Sequence, residues 1–171
     1  LMACGARLSA RQEWIRNAMA EYIEEELGPQ EGILTDLRAC GADAEAVRNG
    51  EPALATELMV STMYDRINRL NPVSMLGMVF VLEGTSIALA SQAAGSLQKG
   101  LGLPDKAFSY LTSHGALDQE HMKFFEQLVN RLDDPADQQA IIHTARVIYR
   151  LYADMFRSLP GSMEVPHALA G

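Results

Sequence analysis

His114, Asp118 and His121 stand at the alternating four-three spacing of one helix face, which brings two imidazoles and a carboxylate to one side of one element. At roughly 100° per residue the three fall within about 60° of arc. The same register continues through Phe125, Leu128 and Leu132, the residues of a buried stripe. Imidazoles and a carboxylate directed into a core are costly unless something pairs with them, and a single metal ion would satisfy all three. The competing reading is a polar patch at a helix start, with Asp118 hydrogen-bonded to a histidine.

Glu83 weighs against that reading. It is the one charged residue between positions 75 and 98, and Leu76, Val79, Ile87, Ala90 and Ala94 share its seam. A carboxylate in such a segment must be neutralised, hydrogen-bonded or bound to a cation. A buried Glu paired with an Arg or Tyr of another helix is the bland alternative. Two isolated polar sets on two apolar helices favour a shared ion. Mixed imidazole and carboxylate ligands suit iron or manganese, whereas a structural zinc site would bring thiolates. The other histidines read differently. His143 falls opposite the apolar seam of its helix, and His167 lies in the tail. The acidic run 24–26 would ordinarily be a solvated face, yet Glu21 and Glu25 share a side with Trp14 and Ala18, so one of them is a candidate to point inward.

Nearly every element that must position these groups reads as helix. Residues 7–27 carry Trp14, Ile15, Ala18, Met19, Tyr22 and Ile23 at helical spacing and stop at Gly28-Pro29, where Gly tolerates the left-handed cap and Pro cannot continue the ladder. A short helix over 30–39 ends at Gly41, and 41–52 reads as a surface loop holding about one helical turn. Residues 53–70 form the next helix, with Val60, Met63, Ile67 and Leu70 as its seam. Pro72 suits a first helical position, and the most apolar helix runs over 73–98. A turn at 100–104 precedes a helix over 105–113, and Ser113 is placed to cap the helix that carries His114. Asp133-Asp134-Pro135 separates that helix from the last, 135–159, whose seam is Ile141, Ala145, Ile148, Tyr152, Met155 and Leu159. The periodicity predicts an all-α bundle.

The domain organisation expected is one helical domain over 1–160 and a flexible C-terminal tail over 161–171. The chain begins at Leu1, which leaves open an N-terminal helix that precedes it. A formal charge of −8 without a Lys or Arg run argues against nucleic acid or an anionic membrane as partner. The apolar run 73–82 is too short to span a bilayer. Cys4 and Cys40 form no CxxC or metal spacing and read as reduced thiols of a cytoplasmic protein.

These residues resemble the haem-oxygenase-like diiron oxidase and oxygenase superfamily, often described as iron-containing redox enzymes, which shares its helical fold with TenA-type thiaminases and the PqqC oxidase. That pattern has a Glu in an apolar central helix about thirty residues before a His-x3-Asp-x2-His element, here Glu83 followed by His114, Asp118 and His121. The resemblance covers about 7–159. An earlier helix in the pattern carries an acidic run and a Gly-His pair, and here Pro29 stands where that His would be. The resemblance implies a haem-oxygenase-like bundle holding Fe(II), two ions in the full pattern, with the second position in question because of Pro29. Glu83 would bridge, and His114, Asp118 and His121 would bind terminally. Glu25 would be the ligand of the earlier helix, with Glu21, Glu24 and Glu31 as alternatives. The implied chemistry is O2 activation followed by oxidation of a small organic substrate, with an external electron donor. Tyr64, Met75, Val79 and Ile87 are expected to line the substrate space. A homodimer is left open.

Two other functions compete. A TenA-like hydrolase needs a Cys nucleophile with acidic partners, and neither Cys4 nor Cys40 stands in such a context. A metal-poor or degenerate bundle kept for binding or structure finds its best argument in Pro29.

Overall fold

The computed structural model describes residues 1–159, apart from the side chains of Pro29 and of residues 114–118. The expected tail, with His167, lies outside the described residues. The described elements are helices, in the order α1 (Met2–Arg7), α2 (Glu13–Glu25), α3 (Pro29–Ala39), α4 (Ala44–Asn49), α5 (Leu54–Asp65), α6 (Met75–Leu101), α7 (Ser109–Val129) and α8 (Pro135–Arg157), and no strand occurs among them. Helix α6 is the centre of the bundle and packs most extensively against α7 and then α8. The core joins Ile15, Met19 and Tyr22 of α2 to Leu76 and Val81 of α6, to Phe125 and Leu128 of α7 and to Ile148 of α8.

Helix α6 runs for 27 residues because no proline interrupts it and Glu83 is its one charge before Lys99. Pro72 opens a preceding 3-10 turn, Asn71 accepts the Val73 N–H at 2.9 Å, and Gly102 ends the helix at φ 64°. By length and composition the span Pro72–Leu101 could cross a bilayer. The apolar run therefore extends well past residue 82, because a single carboxylate does not end an apolar helix. Gly77 brings α6 against α8: a Cβ there would lie 2.5 Å from the Ile141 carbonyl oxygen and 2.9 Å from the Ala145 nitrogen.

Four local expectations are corrected. The helix predicted over 7–27 is shorter, α2 over Glu13–Glu25: Arg7 ends a separate helix, α1, and Ser9 with Gln12 forms a capping box on a 3-10 turn before α2. On α5 the buried residues are Met59 and Met63, followed by Ile67 in a π-helical turn over Arg66–Leu70, while Val60 and Leu70 are exposed. The wider π turn displaces the register that placed Leu70 inward. Leu159 stands outside the seam of α8, 56% exposed beyond the helix end.

The fourth correction concerns the helix that carries His114. No break occurs at Ser113, whose hydroxyl donates to the Tyr110 carbonyl at 3.1 Å within continuous α7. The helix starts instead on Asp36 of α3, which accepts the Tyr110 N–H at 2.8 Å and the Ser109 hydroxyl. Asp36 is buried. A cap delivered from another helix satisfies the same orphan donor that a local Ser would.

Candidate metal centre

Three elements converge on His121. The buried face of α2 runs Ile15, Ala18, Met19 and Tyr22, and the next position in that register is 26. Helix α2 stops at Glu25, and Gly28, at φ 102°, turns the chain into α3 with Pro29 at its first turn. Glu25 and Glu26 therefore sit at the C-terminal end of α2, where the helix dipole disfavours negative charge and a cation would relieve it. Helix α6 brings Glu83, its side chain 11% exposed, and α7 brings His121, 2% exposed.

Both nitrogens of the His121 ring face carboxylates. Nε2 lies 2.8 Å from Glu25 Oε2, while Nδ1 lies 3.6 Å from Glu83 Oε1 and 3.7 Å from Glu26 Oε1. Glu26, Glu83 and His121 each offer one donor atom within 4.8 Å of the others. Glu25 stands across the ring from this set. Three carboxylates around one imidazole leave an excess of negative charge even when the ring is protonated, and a divalent cation offsets it. The donors are nitrogen and oxygen without thiolate, a set that fits iron or manganese.

Tyr22 closes one wall. Its hydroxyl donates to the His121 carbonyl at 3.3 Å, and its ring meets the imidazole edge-on at a centroid distance of 5.5 Å. Burial, with the Glu83, Glu25 and Glu26 carboxylates adding to it, raises the Tyr22 phenol far above its ordinary value. The phenol stays neutral beside the acids.

Of the residues expected from the sequence, the structure gathers Glu25, Glu83 and His121. The side chains of His114 and Asp118 lie outside the described residues, although continuous α7 keeps positions 114, 118 and 121 on one helix face. Among the alternatives on the earlier helix, Glu31 pairs with Arg48 at 2.7 Å, and Glu21 and Glu24 are exposed. Glu26 was missed by the sequence reading. Its signal was the buried register of α2, which reaches 26 after Ile15, Met19 and Tyr22. His143 is exposed, as its position opposite the seam predicts.

A cavity of about 840 Å³ opens from this centre, with Met75 and Val79 among its walls. Tyr64 is not among them. It is 57% exposed on α5, one position past the buried Met63 and so about 100° away from the core. Ile87 lines a separate depression with Phe80 and Phe125. Counted from Glu83, Val79, Ser86 and Ala90 fall to one side of α6, and Phe80 and Ile87 fall to the other. Glu83 thus sits on the boundary between two faces, and the cavity follows only one.

The family model described as iron-containing redox enzyme matches residues 1–153. A solved structure, a domain of unknown function with a heme oxygenase-like fold from Shewanella denitrificans OS217, superposes with a TM-score of 0.78 at 21% identity. The match covers 90% of this chain and 66% of that one, so the chain spans just under two thirds of its length. This likeness assigns the heme oxygenase-like fold. A comparison with curated proteins found no match.

Proposed function

The chain belongs to the iron-containing redox enzyme family, and on that premise we propose that it is a non-haem diiron oxidase or oxygenase that uses O2 to oxidise a small organic substrate. The observation that carries this reading is His121, buried with Glu25 at one ring nitrogen and Glu83 and Glu26 at the other. Glu26, Glu83 and His121 Nδ1 would hold one Fe(II), and His114 and Asp118, on the same face of α7, would serve the second. When bound, iron supplies the redox equivalents and the open coordination positions that O2 chemistry requires.

The chain's own residues have separable duties. Glu25, 2.8 Å from Nε2, would balance charge on that side of the imidazole, and Nδ1, which faces Glu83 and Glu26, would be the ligating nitrogen. Glu83 offsets cationic charge from within an apolar helix. Tyr22 holds the backbone of His121 and presents an aromatic wall. Met75 and Val79 give the centre an apolar wall on the side of α6. An external electron donor belongs to the same proposal.

The hydrolase alternative draws no support from the cysteines. Cys4 is buried, its thiol donates to the Pro72 carbonyl at 3.2 Å, and burial pushes its pKa up to about 11. A nucleophilic thiol needs the opposite shift. Cys40 is exposed.

Anaerobic loading with Fe(II) followed by an iron count tests the proposal. About two irons per chain is expected from the donor groups proposed. His121→Ala abolishes retention and His143→Ala leaves it unchanged. Equal losses from both variants, or no iron retained by the wild type, would overturn it in favour of a metal-poor binding or structural bundle.

A further inference from the structure

The cavity is long and its chemistry is uneven. Its wall on α6 extends from Met75 to Leu97, a rise of roughly 33 Å, of which roughly 21 Å lies beyond Glu83. Among the described lining residues, Glu26 and Glu83 are the charged ones, and both belong to the metal centre. Thr85 and Ser86 add hydroxyl-bearing residues next to Glu83 along the chain. Farther along, the α6 wall is Leu89, Ala90, Ala93 and Leu97, with Leu111 of α7 and Phe156 of α8 facing the same space. The alanines leave room between the larger side chains. Tyr110 and Tyr152 also line the space, and Leu89, Leu97 and Phe156 are about half exposed, so the far arm is an open groove. Mostly apolar walls with a few polar groups, the charged ones at one end, characterise a small-molecule site.

We propose that this cavity takes an elongated organic molecule, an unbranched alkyl chain with one polar end. The polar end lies at Glu83, Thr85 and Ser86, and the hydrocarbon lies along α6 toward Leu97. As the substrate class of the oxidase, this rests on the reading of the metal centre given above, whereas the binding itself needs no iron. A compact polar substrate would leave most of the apolar wall in water. A hydrocarbon chain would instead bury it, with a gain in proportion to its length.

The test is calorimetric titration of the metal-free protein with straight-chain primary alcohols from butanol to decanol. Affinity should rise roughly threefold to fourfold for each added methylene. Leu97→Glu, at a half-exposed position that tolerates a charge, should weaken decanol binding at least tenfold and leave butanol unchanged; Ala93→Phe, which fills the same arm without a charge, should do likewise. Affinity independent of chain length, or variants that weaken all alcohols equally, would overturn the proposal. So would a wild-type dimer that Leu97→Glu splits and that binds no alcohol, because the face would then be covered by a second copy. An iron count on the same preparations separates the two ideas. Chain-length-dependent binding without iron retention keeps the cavity assignment and removes the oxidase, and the converse result keeps the oxidase and removes the alkyl chain.

Discussion

Tyr22 and His121 are joined twice, by a hydrogen bond from the phenol to the histidine's carbonyl oxygen at 3.3 Å and by an edge-on ring contact at 5.5 Å. Helix α2 is thereby fixed against α7 at the point where the carboxylates of α2 must reach the imidazole of α7. Tyr22→Phe keeps the ring contact and removes the hydrogen bond. We expect it to lower stability by about 1 kcal/mol while leaving iron retention intact. Tyr22→Ala should lose both stability and iron. Urea unfolding and iron counts on the two variants check this, and a Phe variant that retains no iron would assign the hydroxyl a direct part in binding.

Glu83 separates metal binding from folding. Glu83→Ala should lose iron. Glu83→Leu should also lose iron yet unfold, metal-free, at a urea concentration no lower than the metal-free wild type, because an apolar side chain replaces a carboxylate held among acids in an apolar helix. A Leu variant less stable than metal-free wild type would mean that the acid has a structural role.

Gly77 tests the α6–α8 contact. A methyl at this position meets backbone atoms, the Ile141 carbonyl oxygen at 2.5 Å and the Ala145 nitrogen at 2.9 Å, and backbone cannot rotate away. Gly77→Ala should cost about 3 kcal/mol despite the better helix propensity of Ala. Thermal or urea unfolding measures it, and an unchanged midpoint would show that the two helices separate freely.

Cys4 sets a pH dependence. Its thiol is raised from 9.0 to about 11, chiefly by burial, so between these values the unfolded chain has lost a proton that the folded chain retains. Stability from this group is complete below about pH 9 and declines as pH rises toward 11. Cys4→Ala should flatten the decline by one proton's contribution. In native protein at pH 8, iodoacetamide should modify Cys40 and spare Cys4, and denaturant should expose both. Equal labelling of the two thiols without denaturant would contradict the burial.

Glu83 and His121 were legible because each is an exception inside a pattern: a lone charge in an apolar helix, and an imidazole in the register of Phe125 and Leu128. Glu25 was legible through its proximity to the buried face of α2. Glu26 was harder to see, because it follows the last residue of α2, where a helical register is least binding on the chain. The cap of α7 could not be read locally at all, since Asp36 stands 73 positions before Ser109.

The amino-acid order by itself determined that the chain is helical, which faces of its helices are apolar, and which polar residues break those faces. Those properties follow from spacing along a chain whose helical rise and twist are constant. Only tertiary structure decided which ring nitrogen of His121 each carboxylate approaches, that Tyr64 and Ile87 stand away from the cavity, and that Asp36 starts α7. Such relationships depend on how one helix is rotated and displaced against another. Packing between side chains far apart in the sequence sets that rotation, and the periodicity of a single helix carries no record of it.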